Sequence, residues 1–146
     1  MKKISQGELQ EILEAHALWL DTIYHKGRRA NFSGLDLTEV DLSGGNLSEA
    51  DLFCADLSGA NLSRVNLTEA NLSEANLSFI DLAKADLYKA NLQGVNLREA
   101  YLTGAILSRA NLKVATAKGC WIKGAKFSSP KDRARLLMLG AREVGG

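Results

Sequence analysis

Residues 70–92 read "ANLSEANLSFIDLAKADLYKANL", with a leucine at every fifth position: Leu72, Leu77, Leu82, Leu87 and Leu92. A period of five fits neither the 3.6-residue turn of a helix nor the two-residue alternation of a strand. Extended outward, the frame holds without a break for twenty pentapeptides, centred on Phe32, Leu37 and every fifth residue to Phe127. The centre departs from leucine only at Phe32, Ala117, Ile122 and Phe127. Two residues before each centre stands alanine at thirteen sites, and otherwise Leu35, Val40, Gly45, Val65, Ile80, Val95 or Cys120. Between these two apolar positions lies Asn or Asp, without exception from Asn31 through Asn96.

Small-in, polar-out, large-in is the alternation of a very short strand, and the two remaining residues, often Ser then Gly or Glu, have turn chemistry. Each pentapeptide is therefore one side of a polygon, an extended piece of two or three residues followed by a corner. Repeating side and corner coils the chain on itself, each turn stacking about 4.8 Å above the last.

The motif A-(N/D)-L-x-x, as in Ala50-Asp51-Leu52, Ala60-Asn61-Leu62 and Ala75-Asn76-Leu77, resembles the pentapeptide repeat family over Ala30 to Ser129. That resemblance implies an all-β solenoid, a right-handed quadrilateral β-helix with four pentapeptides per coil. Twenty pentapeptides then make about five coils and roughly 24 Å of rod. Leucines twenty residues apart, such as Leu52, Leu72 and Leu92, stack in columns along its axis, and alanines set its width.

A solenoid needs its ends covered, which divides the chain into a cap (1–29), the repeats (30–129) and a C-terminal helix and tail (130–146). Ser5 to Lys26 carries Leu9, Ile12, Leu13, His16, Leu20, Ile23 and Tyr24 at helical spacing, with Ser5 and Glu8 as a capping box and Gly27 as a stop. The segment "ILEAHALWLDTIYHKGRRANFSGLDL" also resembles the N-terminal portion of bacterial family members, which supports a structural cap and a structural His16. Ser129-Pro130-Lys131-Asp132 signals a second helix of about ten residues, ending at Gly140. It is expected either to cap the last coil or to make a dimer contact.

The search for chemistry returns no catalytic constellation, no metal-ligand spacing and no phosphate loop, so neither an enzyme nor a cofactor is expected. Asp alternates freely with Asn at the wall positions, which points to backbone hydrogen bonding rather than acid–base work. Cys120 takes an inward position and Cys54 an outward one, about three coils apart and too far to bridge; Cys54 is a candidate exposed thiol. With no leader-like start and no long apolar run, the chain is expected to be cytoplasmic and without a membrane partner.

Net charge is only +1, but its distribution is axial. Asn31 to Asp81 holds nine acids and one base, a net of −8, and Leu82 to Phe127 holds eight bases and two acids, a net of +6. The acidic candidates are Asp36, Asp41, Asp51, Asp56, Glu69 and Glu74. In the basic half Tyr101 and Trp121 replace the polar wall residue, with Lys84 and Lys123 close by, while Tyr88, Ile106, Arg109 and Lys126 gather on the next side. Tyr88, Tyr101, Ile106, Arg109, Trp121 and Lys123 form a candidate interaction patch, unless the C-terminal helix folds over it.

These features point to a non-enzymatic module that presents rigid faces to another protein. Resemblance adds an alternative, a DNA mimic that modulates a type II topoisomerase in gyrase protection or inhibition. Its requirement for extended acidity meets a wall that turns basic after Asp81. Nucleic-acid binding through Lys113, Lys118, Lys123, Lys126 and Arg133 ranks last, because aromatics are sparse among them. A homodimer through the C-terminal helix, or head-to-tail pairing of opposite charges, is also expected.

Overall fold

The computed structural model describes residues 1–114 and 116–144. Parallel bridges join each wall residue to the one twenty positions later, from Asn31 with Asp51 to Ile106 with Lys126. Twenty residues per coil means four pentapeptides and four walls. Wall one carries Asn31, Asp51, Asn71, Asn91 and Asn111; wall two Asp36, Asp56, Asn76, Asn96 and Thr116; wall three Asp41, Asn61, Asp81, Tyr101 and Trp121; wall four Asn46, Asn66, Asp86, Ile106 and Lys126. The frame position Ala115 lies outside the described residues.

The sides are shorter than the sequence suggests. Most contribute one bridged residue rather than a strand of two or three, and among the described residues the two-residue strands are β1 (Lys2–Lys3) and β2 (Leu35–Asp36), paired in parallel. The reason is the corner, which begins at the central leucine. Ala50 N–H donates to the Leu47 carbonyl at 3.1 Å, and Glu49 before it has φ 60°. This is a type II turn, whose third residue needs a positive φ. Gly59 (φ 69°) meets that need without strain, whereas Glu, Lys, Arg, Cys54 and Phe79 meet it elsewhere at a cost.

The wall residue explains why Asn and Asp interchange. Asn31 Oδ1 accepts from Ser33 N–H at 2.9 Å, and Asp56 Oδ1 from Ser58 N–H at 2.9 Å. Either side chain supplies this oxygen, so the turn is preformed whichever is present. On walls one and two the amides also ladder between coils: Asn71 Nδ2 donates to Asp51 Oδ1 at 3.2 Å, Asn76 to Asp56 at 3.1 Å and Asn96 to Asn76 at 3.1 Å.

Inside, Leu52, Leu57, Leu62, Leu67, Leu72, Leu77, Leu82 and Leu87 are fully buried, with Ala55, Ala85 and Ala90 between them. The corner pattern lapses at Val114. By position it belongs in the left-handed region, but it is absent from the residues with positive φ, and its side chain is buried instead. A β-branched residue resists that backbone conformation.

Helix α1 (Gln6–Asp21) closes the N-terminal end, with Leu9 and His16 buried and Ile12 and Leu13 against the core. Ser5 and Glu8 form a reciprocal capping box. Lys2 and the Ser5 backbone both hold the Glu8 carboxylate, lowering its pKa to about 2. The helix stops five residues short of Lys26. Thr22 Oγ1 donates to the Leu18 carbonyl at 2.7 Å and accepts from Lys26 N–H at 2.9 Å, turning the chain out of the helix. Ile23 and Tyr24 therefore have φ 50° and 70° and are exposed rather than on the buried stripe. Gly27, at φ 75°, passes so close to α1 that a Cβ there would collide with the Ala15 carbonyl.

Helix α2 (Pro130–Met138) is capped by Ser129 Oγ, which accepts from Lys131 N–H at 3.0 Å, and it buries Leu136 completely against the last coil. The chain then adds a rung above wall three. Arg142 bridges Trp121, its N–H donating to the Cys120 carbonyl and its carbonyl accepting from Ile122 N–H at 2.8 Å.

Candidate functional site

The outward residues are built on fixed corners and rungs, so their placement follows from the frame. Tyr101 and Trp121 are bridged neighbours on wall three, and Ile106 and Lys126 are bridged neighbours on wall four. Lys123 stands at the corner between these walls. Tyr88 and Arg109 occupy the far corner of wall four, where Arg109 Nη1 donates to the Tyr88 hydroxyl at 3.3 Å and Lys89 Nζ lies 5.5 Å from the Tyr88 ring. The candidate patch thus forms one band around walls three and four of the upper coils.

Helix α2 does not cover that band. Tyr101 remains 50% exposed. The Trp121 ring is half-buried, with the Arg142 guanidinium 5.7 Å from its centre. Arg142 thereby extends the aromatic column with a cation, a contributor the repeat frame does not reveal because it lies beyond the last pentapeptide.

The six acidic candidates are not brought to one face. Asp51 is on wall one, Asp36 and Asp56 on wall two and Asp41 on wall three, while Glu69 and Glu74 stand on separate corners flanking wall one. They form a belt around coils one to three. Several are already engaged: Asp36 accepts from Thr38 N–H at 2.9 Å and faces Lys3 Nζ at 3.4 Å, and Glu69 faces Lys89 at 3.1 Å. The Thr38 bonds, then Lys3, lower the Asp36 pKa below its ordinary value.

Two outward aromatics escape a reading based on wall positions alone. Phe53 and Phe79 sit at corners and are 42% and 57% exposed. They stand at opposite edges of wall two, one coil apart. The signal was in the sequence, as an apolar residue in the two turn positions otherwise filled mostly by small or charged side chains.

The remaining candidates offer little chemistry. His16 Nδ1 accepts from Ala30 N–H at 3.1 Å, tying α1 to the first coil, while its Nε2 is buried without a hydrogen-bond partner. Burial lowers the imidazole pKa, against an opposing pull from the Ser48 backbone and Glu49. Burial likewise pushes the Cys120 thiol up to about 12, whereas Cys54 is half-buried. Among the described residues no group of three or more His, Cys, Asp or Glu is placed to hold a metal, and no helix is long and apolar enough to cross a membrane. An open groove of about 710 Å³ lies between α2 and the Lys113–Val114 corner, lined also by Lys131, Ala134, Arg135, Met138 and Leu139. Its described lining consists of cations and apolar groups.

A coil of four pentapeptides with Asn or Asp outside and leucine inside defines a class of solenoid, and family comparison gives the class its name. The pentapeptide repeats model matches residues 30–68, 50–88, 60–98 and 90–128, and the chain belongs to that family. Among solved structures, HetL from Nostoc sp. strain PCC 7120, a pentapeptide repeat protein involved in heterocyst differentiation regulation, is 32% identical with a TM-score of 0.58. That match covers 67% of this chain and 48% of HetL, so the chain spans about half of HetL's length. AT2G44920, a pentapeptide repeat protein of the Arabidopsis thaliana thylakoid lumen, is 30% identical with a TM-score of 0.61, covering 80% of this chain and 81% of that one. The fluoroquinolone resistance protein QnrB1 is 17% identical with a TM-score of 0.34 over 77% of this chain and 73% of its own, too loose a likeness to bear on binding here. No curated protein matches.

Proposed function

We propose that the chain is a non-enzymatic interaction module that presents rigid walls to another protein, with the band of Tyr101, Trp121, Ile106 and Lys123 as its contact surface. One observation carries this reading. From Asn31 to Asn96 every wall residue is Asn or Asp, and its Oδ1 accepts a bond from the turn that follows. Tyr101, Ile106 and Trp121 give up that bond, and Tyr101 is left half-exposed. Aromatics ringed by cations are what interface centres use, with the largest losses on truncation at Trp, Tyr and Arg. Tyr88 and Arg109, paired with each other, form the rim.

Affinity capture from a native lysate at low salt tests this. The intact chain should retain a protein that Tyr101→Ala with Trp121→Ala releases, the variant keeping its far-UV spectrum. Equal retention by both removes this surface from consideration.

A second reading, a DNA mimic acting on a type II topoisomerase, draws on the acidic belt of coils one to three. The net of +6 from Leu82 to Phe127 weighs against it, since that half of the rod repels a DNA-binding groove. A gyrase supercoiling assay in which the protein neither protects nor inhibits eliminates it.

A further inference from the structure

We propose that wall two is a self-association surface, on which a second copy of the chain packs antiparallel with its two-fold axis passing beside Phe79. The inference does not depend on the contact band of walls three and four. Phe79 is 57% exposed at a turn position with φ 57°, a conformation that disfavours a bulky side chain and is elsewhere taken mainly by Gly, Glu, Lys or Arg. It stands forty-nine residues after Ala30 and fifty before Ser129, at the midpoint of the repeats, and there the wall changes sign. A rod that is acidic over one half and basic over the other satisfies both halves at once only against an antiparallel copy. A parallel copy sets acid on acid.

In that arrangement coil one faces coil five of the partner copy, coil two faces coil four, and coil three faces itself. Along the corner shared by walls two and three, the coil-one corner of Glu39, with Lys3 Nζ on the Thr38 carbonyl, then faces the coil-five corner of Lys118, with the Glu99 carboxylate against Gly119, and Phe79 meets its own counterpart. On the wall itself Asp56 opposes Asn96, and Asn76 opposes its counterpart, with no like charges facing. Walls three and four lack this property, because Asp81 and Asp86 fall on their midlines. Wall two is also flat, since its amides are laddered and Ser78 is buried. Glu74 also falls near the axis, but its carboxylate folds along the corner against Gly94 one coil on. The strip is roughly 24 Å by 10 Å, far below the ~800 Å² per partner of a standard interface, so the dimer is weak and salt-sensitive.

Disulfide trapping reads the symmetry directly. With Cys54→Gly as background, Phe79→Cys chains oxidised at low salt should form a covalent dimer, and the yield should collapse at high salt. Phe53→Cys chains should not form one, because their thiols are held two coils apart, about 10 Å, beyond the ~7 Å Cα limit of a disulfide. Should Phe79→Cys perturb the corner, a mixture of separately purified Glu39→Cys and Lys118→Cys chains provides the second reading, and a mixed dimer is expected. Sedimentation at low salt should show a reversible monomer–dimer equilibrium. Trapping no better at Phe79→Cys than at Phe53→Cys together with no mixed dimer, or species larger than a dimer as head-to-tail stacking gives, overturns the proposal.

Discussion

Leu77→Ala should be among the most damaging single truncations in this chain. Leu77 is fully buried on the central coil, with Leu57 below it and Leu97 above, both also fully buried. Removing three carbons forfeits about 2.4 kcal/mol of burial at ~0.8 kcal/mol each. The cavity term depends on whether the walls can close in, and here they cannot. Leu77 N–H is tied to the Asn96 carbonyl at 2.9 Å, and its own carbonyl accepts from Ile80 N–H at 3.4 Å. Asn76 beside it is bridged to the coils above and below. With the backbone pinned, the total should approach the upper part of the ~2–5 kcal/mol range for buried leucines. Leu42, on the first coil and 6% exposed, has an end cap that can settle toward it, so Leu42→Ala should cost nearer ~2 kcal/mol. Equilibrium urea unfolding followed by far-UV circular dichroism measures both. A loss below about 1 kcal/mol at Leu77, or a larger loss at Leu42, refutes the reasoning that laddered walls hold the cavity open.

Arg64 sits at a corner with φ 58°, so Arg64→Gly should raise stability by up to ~1 kcal/mol and Arg64→Val should lower it by more, read from thermal melts. His16 gives a pH dependence whose sign follows from its lowered pKa. Neutral in the cap, it takes up a proton near its ordinary 6.5 on unfolding, so its contribution is complete above that pH and fades as the pH falls below it. The protection factor of the Ala30 amide, which donates to His16 Nδ1, taken as its exchange rate relative to the intrinsic rate at each pH, should fall below about pH 6.5, and His16→Gln should abolish that dependence. A protection factor at Ala30 that is flat in pH refutes it.

The repeat region was legible in the sequence because every pentapeptide makes the same bargain between packing and turn. Ala75, Asn76 and Leu77 each have one job, and the job repeats. The family resemblance supplied the number of sides, which five-residue periodicity alone does not set. What escaped was whatever departs from a local pattern for a non-local reason. Ile23 and Tyr24 continue the apolar spacing of α1, yet Thr22 ends the helix by holding Lys26, and Tyr24 leaves to donate to Glu49 at 2.6 Å. Val114 keeps the frame but cannot adopt the corner. Arg142 reaches Trp121 from outside the repeats. At the candidate site, periodicity located Tyr101, Trp121 and Ile106 by their break with the wall rule, but Phe53 and Phe79 lie in turn positions where no single residue type is required. Their exposure shows only once the corners are built.

How the ends are finished bears on where a partner can dock. An open solenoid end offers unpaired N–H and C=O groups to any passing strand. Here β1 pairs with wall two at the start, the 140–142 segment adds a rung over wall three at the finish, and α1 and α2 cover the apolar cross-sections. Extension by strand addition is therefore blocked on one wall at each end, and burial of Leu9, His16 and Leu136 keeps the helices in place. That is consistent with the proposal that a partner docks on the walls, whose side chains are spaced by bridges and corners rather than by flexible loops. A surface of that kind loses little conformational freedom on binding, and the exposed aromatics Phe53, Phe79 and Tyr101 are the residues on which the two proposed contact faces rest.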